Sequence, residues 1–413
     1  MSERIFHLFE AYGVEIEYMI VDAETLDVAP VADRILLDRR GVVVADLEDG
    51  DVTWSNELAL HLVELKNTHP SPALRPLAPL FLSALDGMEK RLDGLGCRLL
   101  PGGAHPWMDP ARDTRLWPHE GREIYETYRR IFGCNSHGWL NLQSVHLNLP
   151  FADAPEFARL HAAIRLVLPM LPALAASTPI LGGRRTPWMD ARVQIYRHNQ
   201  DAVPSIVGDV IPEPVFSPDE YVERILQPIF RDIAPLDPEG MLQQEWLNSR
   251  GAIARFDRNT FEIRLIDSQE CVSADLAVAD LVTSVLQSLT EERWSSLESQ
   301  KAWPTARLLP FLDAAVQAAG QMRVSDPEYL ACFGITNQEP LSGRGFWRTV
   351  AEQAAREDRL AFPDKVLALT RLPTLAERIV LEVERTGGAY DRASLLAIWR
   401  RLADCLREDR YFS

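Results

Sequence analysis

The segment Gly13-Val-Glu-Ile-Glu-Tyr-Met-Ile-Val21 decides the fold, because it interleaves β-branched and aromatic residues with carboxylates. Such alternation predicts a strand that opens a domain. Side chains of a strand alternate between its two faces, so Glu15 and Glu17 share one face about 7 Å apart. Two interpretations of this pair stay open. The carboxylates form a solvated strand face, or they bind a hard cation such as Mg²⁺, which removes their mutual repulsion.

Two later segments show the same alternation of polar and apolar residues. They are Asn141–Leu149 and Asn259–Asp267. His146 and Asn148 share the polar face of the first, and Glu262 and Arg264 share the polar face of the second, together with Thr260. A histidine in a strand is usually a hydrogen-bonded core or rim residue, and a Glu–Arg pair is usually a structural ion pair. Three strands that each carry acid, imidazole or guanidinium groups opposite an apolar face nevertheless resemble the floor of an active site.

A second pair of carboxylates lies in Ser55-Asn-Glu-Leu-Ala-Leu-His-Leu-Val-Glu-Leu-Lys66. Glu57 and Glu64 are seven residues apart, which places them on one face of a helix but on opposite faces of an unbroken strand. A shared site therefore requires a helix, a bulge or a turn between them. The alternative is that both occupy surface positions of an amphipathic element.

The order of elements predicts an α+β fold rather than a doubly wound parallel sheet. Helical spacing occurs at 73–95 and 154–176, a helix capped by Ser273 runs to about residue 297, and the chain from residue 301 onward is largely helical. Neither G-x-G-x-x-G nor G-x-x-x-x-G-K-[ST] occurs, so a Rossmann or P-loop nucleotide site is excluded. Five arginines lie in segments rich in Gly, Trp and Asn and are candidates for binding phosphate or carboxylate. These are Arg184, Arg185, Arg192, Arg250 and Arg255.

Charge and cysteine content limit the compartment and the partners. The 413 residues carry 43 Lys and Arg against 60 Asp and Glu, a net charge of -17, which disfavours nucleic acid or an anionic membrane as the main partner. The five scattered cysteines form no C-x-x-C pair and predict reduced thiols. We find no signal peptide and no apolar run close to membrane-spanning length, so the sequence predicts a cytoplasmic protein.

Five motifs occur in a fixed order along the chain. They are Gly13-Val-Glu-Ile-Glu-Tyr, Glu57-x6-Glu64-Leu-Lys, Val145-His-Leu-Asn, Ser177-Thr-Pro-x-x-Gly-Gly followed by Arg192, and Phe261-Glu-Ile-Arg-x-x-Asp267. This ordered set resembles the glutamate-cysteine ligase superfamily, and most of all its bacterial carboxylate-amine ligase branch, the type 2 glutamate-cysteine ligases. The resemblance implies a glutamine synthetase-like fold, in which a curved, mainly antiparallel sheet forms a funnel for ATP and two or three Mg²⁺ or Mn²⁺ ions.

By matching positions, the resemblance implies a role for each candidate residue. The implied metal ligands are Glu15, Glu17, Glu57, Glu64, His146 and Glu262. Arg264 and Glu262 would be catalytic, Arg264, Arg255 and Arg250 would bind the nucleotide, and Arg192 and Asn148 would bind an amino acid substrate. Ser144 stands where the family commonly has a second histidine, and this difference leaves the amine substrate open.

The resemblance implies an ATP- and Mg²⁺-dependent ligase that forms a γ-glutamyl amide through an acyl phosphate. Its partners would be glutamate and an amine such as cysteine, and homo-oligomer formation stays open. A ligase or phosphotransferase with other substrates, or a non-catalytic nucleotide-binding regulator, are the alternatives. Residues 1–300 would form the catalytic domain and residues 301–413 a helical region packed on it.

Overall fold

The computed structural model describes residues 4–336 and 339–413 of the chain. Its strands are β1 (Gly13–Asp22), β2 (Asp46–Asp49), β3 (Val52–Asn56), β4 (Leu62–Asn67), β5 (Cys97–Leu100), β6 (Ser144–Pro150), β7 (Ile180–Leu181), β8 (Arg184–Arg185), β9 (Ala252–Arg255), β10 (Thr260–Asp267), β11 (Arg323–Val324) and β12 (Leu341–Ser342). Eight of these strands form one sheet, while β7 pairs with β8 and β11 pairs with β12.

The main sheet has the order β2-β3-β4-β1-β6-β10-β9, with β5 paired to β1. Each of its strand pairs is antiparallel. One edge of β1 pairs with β4, and the opposite edge pairs first with β6 and then with β5. The predicted α+β class with a mainly antiparallel sheet is therefore confirmed, and the segment that opens the sequence analysis is a central strand.

The helices fill the space around this sheet and form most of the C-terminal part. They are α1 (Leu77–Asp93), α2 (Pro110–Asp113), α3 (Arg122–Phe132), α4 (His137–Leu140), α5 (Ala154–Val167), α6 (Pro172–Ala175), α7 (Ala191–Tyr196), α8 (Pro218–Tyr221), α9 (Gln227–Ile233), α10 (Val272–Thr290), α11 (Leu297–Lys301), α12 (Thr305–Ala318), α13 (Pro327–Cys332), α14 (Gly343–Arg356), α15 (Pro363–Arg371), α16 (Leu375–Arg385) and α17 (Arg392–Glu408). The predicted helical C-terminal region is confirmed. It packs on the sheet part, with α17 against β5 and α15 against α10. The domain division at residue 300 stays a prediction.

The two faces of β1 explain why the sheet has a dry side and a polar side. Val14, Ile16 and Tyr18 are fully buried, whereas Glu15 and Glu17, which alternate with them, remain partly exposed. The apolar face joins a large core with the helices, in which α5 packs against α10. Burial of this one face fixes the register of each strand, because a slip of one residue would move the carboxylates into the core.

Helix α10 differs from the prediction at both ends. Cys271, not Ser273, occupies the N-cap position, and the Ser273 hydroxyl donates instead to Asp409 Oδ2 at 2.5 Å. The helix ends at Thr290, seven residues before the predicted end. Asp153 is the N-cap of α5, and its side chain accepts from the Glu156 amide at 2.9 Å.

Helix α10 also corrects the expectation about apolar runs. Among the described residues it is the one helix that is long and apolar enough to cross a membrane, and 89% of its 18-residue apolar stretch is buried inside the fold. Such burial is typical of the central helix of a folded core. All five cysteines are buried and free of disulfides in the described structure.

Candidate active site

The polar face of the sheet brings the carboxylates of three strands together. The antiparallel register sets Glu15 opposite both His146 on β6 and Lys66 on β4, and it sets Glu17 opposite Glu64 on β4. Glu15, Glu64 and His146 each offer a ligand atom within 4.8 Å of the others. Glu17 and Glu64 form a second such group with Glu57. We call these two groups the carboxylate cluster; Glu64 belongs to both.

The connection between β3 and β4 explains how Glu57 and Glu64 meet. Glu57 directly follows the last residue of β3, and the chain reverses before β4 begins at Leu62. Glu64 on β4 lies opposite Ser55 on β3. A turn, one of the three arrangements that the spacing left open, therefore returns the chain so that both carboxylates reach the polar face.

A β-bulge in β10 aims further charged groups at this face. Ile263 pairs with Leu147 and Ile266 with Val145, so two residues of β10 lie opposite His146. Glu262 remains opposite Asn148, and Asp267 is brought opposite Ser144. Without the extra residue of the bulge, strict alternation would turn Asp267 toward the apolar face.

The cluster is held by hydrogen bonds that the strand register makes short. The Ser144 amide donates to Glu17 Oε2 at 2.6 Å, and the Ser144 hydroxyl donates to the same oxygen at 2.9 Å. Asn148 Nδ2 donates to Glu15 Oε1 at 2.9 Å. His146 Nδ1 lies 3.3 Å from Glu15 Oε2. Ser144 and Asn148 thus orient Glu17 and Glu15 from the neighbouring strand.

The acids of the cluster outnumber the cations around them, and their pKa values respond. Burial and the charge of Glu17 raise the pKa of Glu57 to about 8. Burial and the charge of Glu15 raise the pKa of Glu64 well above its ordinary value, although Lys66 Nζ lies 3.1 Å from Glu64 Oε1. A buried carboxylate that holds a proton near neutral pH is a group that a cation can stabilise in place of that proton.

The imidazole of His146 carries part of the compensating positive charge. Burial lowers its pKa, but the hydrogen bond with Glu15 and the charges of Glu17 and Glu262 raise it, to about 9 in balance. Burial is the largest single effect on Glu15 and disfavours its charged form, but the hydrogen bond with His146 and the charges of His146 and Lys66 together lower the pKa of Glu15. Carboxylate oxygens with one imidazole are a donor set that fits Mg²⁺ or Mn²⁺.

Glu262 lies at the edge of the cluster and is also paired with arginines. Its Oε1 is 3.8 Å from His146 Nδ1 and accepts from Arg264 Nε at 2.5 Å, while its Oε2 accepts from Arg255 Nη1 at 3.1 Å. Burial is the largest single effect on Glu262 and disfavours its charge, but the charges of Arg264 and His146 and the hydrogen bond from Arg264 together lower its pKa. Glu262 is therefore an ionised carboxylate shared between the cluster and two guanidinium groups.

The structure separates the remaining four candidate arginines. Arg184 and Arg185 form strand β8 and line neither of the two cavities at the cluster. The Nε atom of Arg192 donates to Asp267, which is fully buried and also accepts from the Ser177 amide at 2.8 Å. Arg250 is not brought to the cluster: it donates from Nε and Nη2 to the two carboxylate oxygens of Glu213, at 2.6 and 2.5 Å. The geometry gives Arg250 a structural ion pair and gives Arg192 a place on a cavity wall.

Two cavities reach the cluster from opposite ends of β1 and β6. The smaller one, of about 260 Å³, is lined by Glu17, Ser144 and His146. Arg192 and Arg264 also line it. Aromatic side chains form the far wall of this cavity. Their positions are scattered along the sequence, so no sequence pattern predicted them as site residues. These are Tyr125, Tyr128, Trp139, Tyr196 and Trp246.

The larger cavity has a volume of about 660 Å³ and reaches the cluster at Glu15. It is lined by Gly13, Glu15 and Asn148 at the cluster, and by Lys66 and Thr260 beside them. Asn148 Oδ1 and Thr260 Oγ1 are buried without a hydrogen-bond partner among the described residues. Unpaired buried acceptors are costly, so these atoms indicate a place where a ligand would donate. Of the Pro-rich segment 200–218, Gln200 alone lines the smaller cavity, and most of the apolar residues of that segment are buried in the core.

Comparisons with known proteins agree on one family. A sequence model of the family described as glutamate-cysteine ligase family 2 matches residues 11–358. An uncharacterized protein of Archaeoglobus fulgidus is 37% identical over 280 residues, which cover 68% of this chain and 75% of that protein. A protein of Bordetella parapertussis, provisionally named glutamate–cysteine ligase 2, is 26% identical over 41% of this chain; the match spans 38% of that protein's length.

Solved structures show the same fold at low sequence identity. A glutamate–cysteine ligase of Francisella tularensis in complex with AMP has a TM-score of 0.57 at 13% identity, over 96% of this chain and 89% of that one. A bifunctional glutathione synthetase of Pasteurella multocida has a TM-score of 0.62 at 12% identity, over 97% of this chain and 53% of that one. This likeness concerns the fold and confirms the architecture expected from the motifs.

Proposed function

Because the chain belongs to glutamate-cysteine ligase family 2, we propose that it is an ATP-dependent carboxylate-amine ligase that forms a γ-glutamyl amide in the cytoplasm. The observation that carries this proposal is the carboxylate cluster between two cavities. Antiparallel strands set one cavity at the Glu17 end of the cluster and the other at the Glu15 end. Two reactants that approach from opposite ends would meet at the cluster, as an in-line transfer requires.

The chemistry of the donor set fits divalent cations. Glu15, Glu64 and His146 would hold one ion, and Glu17, Glu57 and Glu64 would hold a second, with Glu262 adjacent to His146. When bound, such ions neutralise the charge of phosphate groups and of the cluster itself. Several buried acids around a small volume are otherwise unfavourable, and this cost supports a role beyond folding.

We place ATP in the larger cavity and the two other substrates in the smaller one. The larger cavity has the volume of sites that bind drug-sized ligands and has Lys66 and Arg258 on its wall to attract phosphates. Its unpaired acceptors, Asn148 Oδ1 and Thr260 Oγ1, would accept from the ribose or the base. Asn148, expected to bind an amino acid, thus becomes a nucleotide contact in this proposal.

The residues of the smaller cavity would promote phosphoryl transfer by position and charge. The γ-carboxylate of glutamate attacks the γ-phosphorus of ATP, ADP leaves, and an acyl phosphate forms. Arg264, whose pKa is raised by the adjacent Glu262, remains charged throughout and would stabilise the charge of the transferring group. Glu262 fixes the Arg264 guanidinium through Nε and so would orient it. The amine then attacks the acyl carbon, phosphate leaves, and the amine proton passes to solvent.

Arg192 would bind a substrate carboxylate at the same cavity. Its Nε is fixed by Asp267, whereas its Nη atoms make only long contacts of 3.3 and 3.4 Å with the Arg264 carbonyl. A guanidinium whose Nε is held in place and whose Nη atoms make only weak hydrogen bonds can still donate from those Nη atoms to a substrate carboxylate. We retain Arg255 as a group that acts through Glu262 and leave Arg250 out of the proposed site.

The proposal is tested by incubation with ATP, Mg²⁺, glutamate and a panel of primary amines, with ADP release and product mass as readouts. Glu17→Gln should reduce kcat at least about 100-fold with the fold retained, because few hard ligands remain. Glu126→Gln, at an exposed position of α3, is the matched control and should retain activity. If folded protein releases no ADP with any amine, or if Glu17→Gln turns over at the wild-type rate, the proposal fails.

A further inference from the structure

The smaller cavity has two halves of different chemistry. The sheet supplies the charged half, which includes Glu17 and Arg264. The elements that cover the sheet supply the aromatic half: Tyr128 comes from α3, Trp139 from α4, and Trp246 from the short turn at Glu245–Leu247. A ligand that fills this cavity therefore needs a polar head at the sheet and an apolar body against the covering helices.

The aromatic half is a continuous wall. The Tyr128 ring lies 5.2 Å from the Trp139 ring and 6.0 Å from the Trp246 ring, tilted by 55° and 39°. All three side chains remain partly exposed. Leu58 and Leu62 extend the same lining and are themselves buried. The wall is thus largely apolar and partly exposed to solvent.

We infer that the amine bound in this cavity carries an aromatic or comparably large apolar side chain. This inference rests on the proposed ligase function and names the class of its acceptor. Tilted and edge-on aromatic contacts add to the burial of apolar area, so an aromatic ring covers this wall better than the small side chain of cysteine does.

The polar groups at the boundary between the two halves suit the amino group of such a ligand. Glu17 and Glu57, the carboxylates proposed to hold a cation, line the cavity at this boundary. Gln200 also lines it, is 4% exposed, and has an Oε1 atom with no hydrogen-bond partner among the described residues, while its Nε2 donates to Ser249 at 3.0 Å. Acceptors next to an aromatic face are the arrangement that recognises an ammonium or amine.

The test compares amines that differ in side-chain size under the ligase assay with ATP, Mg²⁺ and glutamate. We expect kcat/KM for phenylalanine or phenethylamine to exceed that for cysteine, alanine or glycine by about tenfold or more, since each well-placed methylene in an apolar pocket contributes at least that order. Trp139→Ala should reduce the ratio of aromatic to small amine kcat/KM about tenfold. Trp107→Ala, a partly exposed tryptophan outside both cavities, is the matched control and should leave the ratio unchanged.

Calorimetry with phenethylamine, in the presence of Mg²⁺, glutamate and a non-hydrolysable ATP analogue, separates the two proposals. Turnover that is fastest with cysteine or alanine overturns the inference and keeps the ligase function. Absence of ADP release with every amine overturns the ligase function; binding of phenethylamine that Trp139→Ala weakens then still supports an aromatic amine as the ligand of the cavity. Absence of both binding and turnover overturns the inference as well.

Discussion

Replacement of Glu57 by glutamine should make the metal-free protein more stable. The Glu57 carboxylate has no hydrogen bond or ion pair among the described residues, so Glu57→Gln removes charge without removing a partner. Its pKa is raised from 4.5 to about 8, first by burial and then by the charge of Glu17. A raised carboxyl pKa destabilises the fold above the pKa of the unfolded chain, because ionisation favours the unfolded state.

The size of the effect follows from the same shift. At pH 7 the Glu57 carboxyl is 2.5 pH units above its ordinary pKa of 4.5. At 1.36 kcal/mol per unit, its destabilisation of the fold has an upper limit of about 3.4 kcal/mol. Coulomb repulsion between two carboxylates within 4.8 Å of each other gives about 3.5 kcal/mol or more at an effective dielectric constant of 20. Because the Glu57 side chain is partly exposed, solvent screens this repulsion. We therefore expect Glu57→Gln to raise the free energy of unfolding by about 1–3 kcal/mol.

Urea denaturation in EDTA, from pH 4 to 9, measures this difference. The two proteins should be equally stable below about pH 4.5, and the advantage of Glu57→Gln should grow up to about pH 8. Added Mg²⁺ should stabilise the wild type more than the variant, so that in Mg²⁺ the wild type becomes the more stable of the two proteins. Glu126→Gln controls for loss of one negative charge. A variant in EDTA at pH 7 that is no more stable than the wild type would refute the reasoning.

Two further substitutions test the buried groups behind the site. Asp267→Ala should lower the free energy of unfolding by about 3–5 kcal/mol, because it leaves the buried Arg192 guanidinium uncompensated; a loss below 1 kcal/mol in urea denaturation would contradict the ion pair. His161, whose pKa is lowered by burial to about 3, stabilises the fold above pH 6.5, and this contribution is lost as the pH falls toward 3. His161→Asn should therefore flatten the fall in stability over that window, and an unchanged slope would exclude His161 as its source.

Strand periodicity predicted the part of the site that lies on regular strands. Glu15 and Glu17 share the polar face of β1, and His146 and Asn148 share that of β6, because period-two alternation is a local property of the backbone. The pairing that makes them neighbours was supplied by resemblance to a family and not by spacing. For Glu64, spacing left a helix, a bulge or a turn, and only the three-dimensional path selects the turn.

Residues whose position depends on irregular backbone or on distant elements were not predictable. Strict alternation would place Asp267 on the apolar face of β10. Only the bulge in β10 moves it to the polar face. Arg250 sits in a segment that resembles a binding loop, yet Glu213, 37 residues earlier, holds it in an ion pair. Trp139 and Trp246 come from separate covering elements, so no period in the sequence relates them.

The membership of Glu64 in both groups of the cluster means that the two groups cannot act as independent sites. A ligand that takes up the Glu64 carboxylate in the group of Glu15 and His146 changes what remains for the group of Glu17 and Glu57. By thermodynamic reciprocity, each occupant alters the affinity of the other by the same factor. If the Glu64 carboxylate bridges both occupants, that factor is greater than one. If the two occupants compete for the carboxylate, the factor is smaller than one. The affinity of the second occupant therefore depends on whether the first is bound.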